Sequence, residues 1–257
     1  MTTALITGAS GGIGYELAKL FAKDHHNLVL VARSGPRLAQ FADELQRQFG
    51  VAVRPIALDL TATPAPQFLF DQVQREGIAI DFLVNNAAYG QHGKFAEIPL
   101  AESLGQIQLN VTALTQLSRL FLGPMVERHS GRILNVASTA AFQPGPLMAV
   151  YYASKAYVLS FSEALDNELK SSGITVTCLC PGPTQTGFQE RAAMQGSRLV
   201  RMGMMSAKAV ALDGYRGMLA GKPVLISGLR NWLLAESVRL APRRLATAVS
   251  RKIAEKN

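Results

Sequence analysis

The start of the chain restricts the possible folds more than any other segment, because an apolar strand there runs into a glycine-rich loop. Thr3–Thr7 has the composition of a buried strand, and the loop, GASGGIG, occupies residues 8–14. Apolar side chains then recur on one helical face from Ile13 to Phe21. Glycines let backbone N–H groups approach a phosphate closely, and a helix N-terminus favours an anion. A strand, a glycine loop and a helix in this order therefore predict a phosphate-binding turn.

Segments with strand and helix patterns alternate along the rest of the chain. Further strands are predicted over residues 28–32, 51–60, 80–84, 132–138, 174–179 and 223–226. The predicted helices include a long one with apolar positions from Leu104 to Leu117, and another that carries Tyr151 and Lys155. Several strands are apolar on both faces, which is typical of a parallel sheet with helices on both sides. The predicted fold class is α/β, with a doubly wound parallel sheet.

Polar residues follow most of these strands at their carboxyl ends. They are residues 8–14, Arg33, Asp59, Asn86, Ser138 and the pair Pro181-Gly182. Parallel α/β sheets bind their ligands at this edge. We therefore expect these residues to lie around one cleft.

Tyr151 and Lys155 are the first candidates for chemistry in that cleft. Residues four apart on a helix project from the same face. A neighbouring ammonium group is expected to lower the pKa of the phenol toward the range in which acid–base catalysis is efficient. Tyr152 has Ala156 at the corresponding position, so only Tyr151 has a lysine partner. Taken alone, the pair is also compatible with a packed tyrosine and a solvated lysine.

These motifs lie in a fixed order along the chain. They are residues 7–14, Asn85-Asn86-Ala87, Asn110, Ser138, Tyr151-Tyr152-Ala153-Ser154-Lys155 and Pro181-Gly182. Over about residues 3–228, their order and spacing resemble those of the short-chain dehydrogenases/reductases. The resemblance implies a single Rossmann-type domain over residues 1–228, followed by a C-terminal extension over residues 229–257. It also implies a nicotinamide cofactor and hydride transfer to or from a carbon–oxygen centre.

The resemblance implies catalytic roles for four residues. Tyr151 is the general acid–base, and Ser138 hydrogen-bonds the substrate oxygen. Lys155 binds the nicotinamide ribose and lowers the pKa of the tyrosine, while Asn110 holds a water that relays protons to this lysine.

The resemblance also implies a set of cofactor contacts, which extends from the pyrophosphate through the adenosine to the nicotinamide. The residues are Gly8, Gly12, Ile13 and Gly14 at the pyrophosphate, Asp59 and Leu60 at the adenine, Asn86 and Ala87 at the adenosine ribose, and Pro181, Gly182, Thr184 and Thr186 toward the nicotinamide. One position departs from the family, since Ala88 stands where glycine is usual. A methyl group there is expected to crowd the backbone beside the cofactor.

The end of the second strand predicts which nicotinamide cofactor is used. NAD-binding Rossmann domains place a carboxylate there, which repels a 2′-phosphate. Here the position holds Arg33, whose planar, permanently charged guanidinium suits phosphate. Ser10 and Ser34 add hydroxyl groups nearby, and Arg37 adds a second charge. We therefore predict NADP(H), with reduction as the physiological direction; the alternative is that Arg33 only pairs with a surface carboxylate.

The predicted function is thus an NADP(H)-dependent oxidoreductase acting on a ketone, an aldehyde or an alcohol. Residues 184–205 are expected to cover the active site with an apolar lining that favours a moderately hydrophobic substrate. The candidate lining residues are Phe142, Phe188, Met194, Met202, Met204 and Met205. The alternative is a sensor or scaffold that binds NADP without turnover, although such a protein needs no acid–base tyrosine. The family resemblance also implies a homodimer or homotetramer.

The distribution of charge bears on the possible partners. The net charge is +8, but residues 229–257 hold seven basic and two acidic residues, a net of +5. The rest of the chain is nearly balanced, so nucleic acid is not a predicted partner. Leu245, Val249 and Ile253 form an apolar stripe among the basic residues of the extension. We prefer docking of this helix on the body or on a second subunit, and weak contact with an anionic membrane surface is the alternative.

The cysteines and histidines bear on metals and on location. The four histidines show no ligand spacing, so no metal site is predicted. Cys178 and Cys180 are expected to point to opposite faces of one strand, which would prevent a disulfide between them. A reducing cytoplasm is the expected location. No apolar run approaches the roughly 20 residues of a membrane span, and no signal peptide is predicted.

Overall fold

Short segments rich in valine, isoleucine and leucine form the strands of the computed structural model, which describes residues 1–192 and 203–255. The strands are β1 (Thr3–Thr7), β2 (Asn27–Ala32), β3 (Val53–Ala57), β4 (Phe82–Asn85), β5 (Gly131–Val136), β6 (Ile174–Cys180), β7 (Thr184–Gln185), β8 (Met205–Ser206) and β9 (Val224–Ile226). Seven of them form one parallel sheet in the order β3-β2-β1-β4-β5-β6-β9, while β7 pairs with β8. The strand order reverses between β1 and β4, and sheets of this kind bind ligands at such a point. The predicted parallel α/β fold is confirmed.

The helices lie between these strands. They are α1 (Gly12–Lys23), α2 (Gly35–Phe49), α3 (Ala65–Arg75), α4 (Leu100–Ile107), α5 (Leu114–Glu127), α6 (Ala149–Glu168), α7 (Phe188–Arg191), α8 (Ala207–Leu219), α9 (Leu229–Leu240) and α10 (Arg243–Ala254). A π-helical segment, Gln108–Ala113, joins α4 to α5, and a 3₁₀ turn, Thr139–Phe142, follows β5. The long helix predicted around Leu104 to Leu117 is therefore three consecutive helical segments.

Two hydrophobic clusters cover the two faces of the large sheet. Helices α1, α2 and α8 pack on one face, and α3, α5 and α6 contribute to the cluster on the other. Strand β1 is apolar on both faces because its side chains enter both clusters. Ile6 lies in the first cluster and Leu5 in the second. Full burial of a side chain of this size contributes about 1.5–3 kcal/mol to folding. Burial on both faces therefore fixes the strand ends from which the site is built.

The third strand is shorter than the sequence predicts, ending at Ala57 instead of Leu60. The reason is a local turn, in which an Asp59 carboxylate oxygen accepts hydrogen bonds from the backbone N–H and the hydroxyl of Thr61 at 3.0 and 2.8 Å. Side chains of this type compete with strand pairing by binding nearby backbone groups. The turn brings Asp59 to the carboxyl edge of the sheet.

The prediction that Cys178 and Cys180 point to opposite faces of their strand is wrong. Residues i and i+2 of a strand share a face because the side-chain period is two. The two Sγ atoms lie 3.7 Å apart, and both cysteines are free thiols. They belong to a buried cluster with Val158 and Leu159 of α6. The pair is thus part of the packing between β6 and the helix that carries Tyr151.

The C-terminal extension packs on the body of the chain through small residues. Ala246, Ser250 and Ala254 of α10 are buried, and an imidazole nitrogen of His92 hydrogen-bonds the Ala254 carbonyl oxygen at 2.8 Å. The predicted apolar stripe takes a smaller part, because Leu245 and Val249 are 56% and 49% exposed and only Ile253 is half-buried. Helix α10 thus docks on the body, but by a different face from the one its apolar stripe suggests. Within residues 1–192 and 203–255, no helix combines the length and apolar character needed to cross a bilayer.

Candidate active site

The loops at the carboxyl ends of the central strands border one large cavity of about 630 Å³. All the residues predicted to act in catalysis or cofactor binding line this cavity, except Gly14 and Asn110. The residues therefore come from seven separate loops and helices that the sheet brings together. Their proximity agrees with the expectation of one cleft at the carboxyl edge.

The glycine loop is packed too tightly for larger residues. A Cβ atom on Gly14 would lie 2.5 Å from both the Gly8 carbonyl oxygen and the Asn86 amide nitrogen. Gly8 and Gly12 also have φ angles of 67° and 56°, which favour glycine. Gly14 therefore lets α1 pack against the loop.

The side-chain amide of Asn86, which lies against Gly14, also holds the glycine loop in place. Its Nδ2 donates to the carbonyl oxygens of Thr7 and Gly8 at 2.8 and 3.2 Å. The backbone N–H groups of Asn86 and Ala87 both donate to the Thr7 hydroxyl at 3.0 Å. The loops after β1 and β4 are thus locked together at the point where the strand order reverses.

Tyr151 lies on α6 with its side chain toward the cavity. Ser138, which follows β5, lies beside it and lowers its pKa, and Phe188 lies with its ring centroid 5.1 Å away. Burial raises the pKa of Tyr151, and Ser138 only partly opposes this effect. The direction is opposite to the one predicted from the Tyr151–Lys155 spacing. The phenol is therefore held in its protonated form.

The surroundings of Lys155 explain why its effect on the tyrosine is small. Its side chain is 3% exposed, and Nζ donates a hydrogen bond of 2.7 Å to the Val136 carbonyl oxygen. Nζ lies 5.8 Å from the centroid of the Tyr151 ring. Burial lowers the pKa of Lys155 to about 8, and the neighbouring Cys178 and Cys180 act weakly in the other direction. A lysine with such a pKa changes its charge close to physiological pH.

Ser138 is fixed by the turn it begins. Its Oγ accepts a hydrogen bond of 3.1 Å from the Ala140 backbone N–H, which makes it the cap of the 3₁₀ turn. Its hydroxyl also lies 3.4 Å from the Pro181 carbonyl oxygen. A serine, a tyrosine and a buried lysine thus converge on one cavity that also contains a glycine loop at a helix N-terminus.

A model of the short chain dehydrogenase family matches residues 2–196. The chain belongs to the short-chain dehydrogenase/reductase family. It is therefore an oxidoreductase of a family that uses nicotinamide cofactors.

Curated relatives of this family member include ketoacyl reductases. The Ketoacyl reductase HetN of Nostoc sp. is 36% identical over 210 residues, which cover 81% of this chain and 72% of HetN. The Very-long-chain 3-oxoacyl-CoA reductase of Anas platyrhynchos is 37% identical over 184 residues, which cover 69% of this chain and 58% of that protein. The chain therefore spans less than two thirds of the length of the latter relative.

A solved structure has the same architecture over nearly its full length. It is a short-chain dehydrogenase from Sphingobium yanoikuyae in complex with NADPH, with 33% identity and a TM-score of 0.83. The match covers 93% of this chain and 94% of that one. This short-chain dehydrogenase/reductase thus has the family fold.

The cavity fits a nicotinamide dinucleotide. Helix α1 begins at Gly12 with no side-chain cap on its N-terminus, so its first backbone N–H groups lack side-chain partners. Such groups bind the diphosphate of a dinucleotide. Residues of the glycine loop, Arg33, Asp59 and Thr186 all face the same space. The shape and the donor groups of the site are those that such a cofactor requires.

Asn110 lies behind the cavity, with its side-chain amide already engaged. It is 1% exposed and lies in the π-helical segment, and only its neighbour Leu109 reaches the cavity. Its Oδ1 accepts from the Tyr89 N–H at 3.1 Å, while Nδ2 donates to the Tyr89 carbonyl and the Ser154 hydroxyl at 2.9 and 3.1 Å. The amide thus anchors the loop after β4 to α6. The role of Asn110 in holding a water that relays protons remains a prediction.

The apolar end of the cavity differs from the predicted lining. Phe188 lines it as predicted, together with Met148, Tyr152 and Ala140, which the sequence analysis did not select. Phe142 packs instead in the cluster behind α6, and Met205 packs against the core on the other side of the sheet. Met204 does not line the cavity, and Met194 and Met202 lie outside the described residues.

Several polar residues of the cavity wall were also missed, namely Thr61, Thr139, Gln143, Gln189 and Arg191. Arg191 ends α7, and its guanidinium carbon lies 4.5 Å from the centroid of the Tyr89 ring. Burial lowers the pKa of Arg191, and the positive charge of Arg33 lowers it further. No periodic pattern marks this residue in the sequence, because α7 is a single turn in an irregular segment.

The adenosine side of the cavity concentrates charge. Burial by itself raises the pKa of Asp59, but the hydrogen bonds from Thr61 and the positive charges of Arg33 and Arg191 outweigh it and lower the pKa. Arg33 follows β2 and is exposed to the cavity, as predicted for its strand-end position. Arg37 of α2 lines the same region.

Proposed function

We propose that this short-chain dehydrogenase/reductase is an NADP(H)-dependent reductase of hydrophobic ketones, with Tyr151 as the general acid. The observation that carries the proposal is the convergence of Ser138, Tyr151 and Lys155 on the cavity that holds the glycine loop. A protein that only sensed or stored the cofactor would need the loop but not this set of polar side chains.

The chain's own residues supply the proton chemistry of the proposed reaction. When bound, a reduced nicotinamide supplies the hydride that the carbonyl carbon accepts. The Tyr151 hydroxyl donates its proton to the carbonyl oxygen, and the Ser138 hydroxyl hydrogen-bonds the same oxygen. The raised pKa of Tyr151 keeps the phenol protonated before the reaction. Because a raised pKa also makes the phenol a weaker acid, the proton leaves as negative charge develops on the carbonyl oxygen. When charged, Lys155 favours the phenolate that forms, but at 5.8 Å from the centroid of the ring its effect is small.

The proposed preference for NADP(H) rests on Arg33. No acidic residue occupies the end of β2, and the guanidinium there matches a 2′-phosphate in charge and in shape. Ser10, Ser34 and Arg37 line the same part of the cavity. Asp59 is the nearest acid, but its carboxylate is held by Thr61.

The proposed substrate class is a ketone with an apolar chain, with 3-oxoacyl thioesters as the first candidates. Apolar side chains of Ala140, Met148, Tyr152 and Phe188 form the cavity wall next to Tyr151. The names of two relatives, a ketoacyl reductase and a 3-oxoacyl-CoA reductase, support the same class. We place the enzyme in the cytoplasm, where its two free thiols would remain reduced.

The experiment that tests this function follows NADPH consumption with a panel of ketones and 3-oxoacyl-CoA thioesters of increasing chain length. Turnover should rise with chain length until the apolar wall is filled. Tight NADPH binding without turnover of any member of the panel would favour the sensor or scaffold instead. Tyr152→Phe is the matched control for Tyr151→Phe, because Tyr152 lines the cavity but has Ala156 where Tyr151 has Lys155.

We also propose that the enzyme forms a homodimer or homotetramer. Leu100, Leu104 and Ile107 lie on one face of α4 and are all exposed, which favours contact with a second subunit. Light scattering of the wild type and of Leu104→Glu tests this. The wild type should have the mass of a dimer or tetramer and the variant a lower mass; a monomeric wild type would contradict the proposal.

A further proposal concerns the C-terminal extension. We propose that residues 229–257 are an extension distinct from the catalytic domain of residues 1–228. Helix α10 exposes Leu245 and Val249, and α9 exposes Trp232, Leu233 and Leu240. Both helices also carry basic residues. A basic, apolar surface of this kind suits weak binding to anionic lipid. Co-sedimentation with phosphatidylglycerol vesicles should exceed that with phosphatidylcholine and should fall in high salt. Equal binding to both vesicles, or none, would reject the proposal.

A further inference from the structure

The position of Arg191 on the cavity wall is fixed by a rigid partner. Its guanidinium stacks on Tyr89, whose ring is almost completely buried. The Tyr89 backbone is held on both sides by the Asn110 amide, and its hydroxyl donates to the Glu102 carbonyl oxygen at 3.2 Å. Stacking on a fixed ring limits the conformations of the arginine and leaves its N–H groups free to bind a ligand.

The charge around Arg191 is unbalanced. Arg33 and Arg191 belong to different elements, yet both lower the pKa of Asp59, and Arg33 also lowers the pKa of Arg191. Both line the cavity, as does Arg37. Among the residues that the structure describes, no ion pair includes any of these three arginines. Neighbouring cations that line a cavity without an ion-pair partner favour an anionic ligand between them.

Helix α7 also connects this charge to the catalytic end of the cavity. Phe188 is three residues before Arg191, and its ring lies against Tyr151. Helix α7, a single turn, therefore places Phe188 against Tyr151 and Arg191 near Arg33. Ligand binding at Arg191 would hold the turn that covers Tyr151.

We propose that Arg191 is a second binding residue for the 2′-phosphate of the adenosine ribose and acts together with Arg33. This inference rests on the proposed use of NADP(H) and extends it to a residue outside the Rossmann strand ends. The 2′-phosphate would accept hydrogen bonds from both guanidinium groups, while the Tyr89 ring packs against Arg191.

The test measures equilibrium binding and does not depend on turnover. Calorimetry compares NADP⁺ with NAD⁺, and adenosine 2′,5′-bisphosphate with adenosine 5′-monophosphate, for the wild type, Arg33→Ala, Arg191→Met and Arg191→Lys. Arg119→Met is the matched control, because Arg119 is an exposed arginine of α5 away from the cavity. Arg191 is itself exposed, so its replacement should leave the melting temperature unchanged.

We expect Arg191→Met to weaken binding of NADP⁺ and of the bisphosphate by roughly five- to thirtyfold, with less than a twofold effect on NAD⁺ and on the monophosphate. Arg191→Lys should lose part of the affinity, because it retains the charge but not the planar stack. An unchanged NADP⁺ affinity in Arg191→Met, or an equal loss for all four ligands, would overturn the inference.

The outcome also separates this inference from the proposed function. A wild type that prefers NADP⁺, with the preference lost in Arg33→Ala but kept in Arg191→Met, rejects the role of Arg191 alone. Equal affinity of the wild type for NADP⁺ and NAD⁺ rejects both the role of Arg191 and the proposed cofactor.

Discussion

The ammonium group of Lys155 donates a 2.7 Å hydrogen bond to the carbonyl oxygen of Val136, the last residue of β5. This bond ties α6 to the strand end that Ser138 follows. Tyr151 lies one helical turn before Lys155, so the same bond sets the distance between the phenol and the serine. In the described structure, the lysine thus holds α6 against the end of β5, in addition to any contact it makes with a cofactor.

Replacing Lys155 should change how stability depends on pH. The pKa of Lys155 is about 8 in the folded state, below the 10.5 that the unfolded chain would have. Between these values the unfolded chain binds one more proton at this site, so folding stability rises with pH there. Below pH 8 both states are protonated, and the buried charge is a constant cost.

Melting temperatures of the wild type and Lys155→Met from pH 7 to 10.5 measure this effect. The wild type should gain stability relative to the variant as the pH rises above about 8. The variant also loses the bond to Val136, but that loss does not vary with pH. A difference between the two proteins that stays constant across this range would contradict the lowered pKa.

Replacing Arg33 should change the choice of cofactor. A charge-assisted hydrogen bond to phosphate contributes about 1.5–3 kcal/mol, so Arg33→Ala should reduce the ratio of kcat/KM for NADPH over NADH roughly ten- to a hundredfold. Arg47→Ala, on the exposed side of α2, is the control and should leave the ratio unchanged. Equal use of both cofactors by the wild type, or the same ratio in Arg33→Ala, would reject the assignment.

Gly14→Ala should destabilise the protein. Its new Cβ would meet the Gly8 carbonyl oxygen and the Asn86 amide at 2.5 Å, and crowding of this kind costs about 1–3 kcal/mol. Gly123→Ala is the control, because Gly123 lies inside α5 and a Cβ added there would meet no other side chain or loop within 4 Å. That substitution should stabilise by about 0.5–1 kcal/mol. Urea unfolding of both variants checks the pair, and an unaffected Gly14→Ala protein would show that the loop can relax.

Asn110→Ala should lower the free energy of unfolding by about 2–4 kcal/mol. The substitution leaves the N–H and the carbonyl of Tyr89 without their buried partner, and each such group costs about 1–3 kcal/mol. Urea unfolding of the wild type and of Asn110→Ala measures this difference in the free energy of unfolding. A loss below about 1 kcal/mol would mean that the loop after β4 finds other partners.

The strand ends are the part of the site that could be predicted from sequence. Arg33, Asp59, Asn86 and Ser138 each follow an apolar strand, and a parallel sheet brings such positions to one edge whatever the helices do. The same argument cannot place a residue whose neighbours are set by a turn or a loop. Arg191 lies on a single helical turn, and its stacking on Tyr89 depends on the fold of both segments.

The wrong predictions have physical causes of the same kind. Phe142 and Met205 are apolar residues near the site, but each finds a buried cluster closer than the cavity. The stripe of Leu245, Val249 and Ile253 was expected to dock α10, yet its first two residues are exposed and the closely packed face carries alanine and serine. The raised pKa of Tyr151 reflects its burial, which spacing along a helix does not reveal.

The measurement that tests the central claim most directly compares Tyr151→Phe with the wild type and with Tyr152→Phe. It determines kcat on the best substrate of the ketone panel and the Kd for NADPH in each protein. Removing the phenol hydroxyl takes away the proposed proton donor and little packing, so Tyr151→Phe should lose nearly all turnover while its Kd stays within about twofold. Tyr152→Phe should keep most of its turnover. Retention of most of kcat by Tyr151→Phe, or its loss only in Tyr152→Phe, would contradict the assignment of Tyr151 as the general acid.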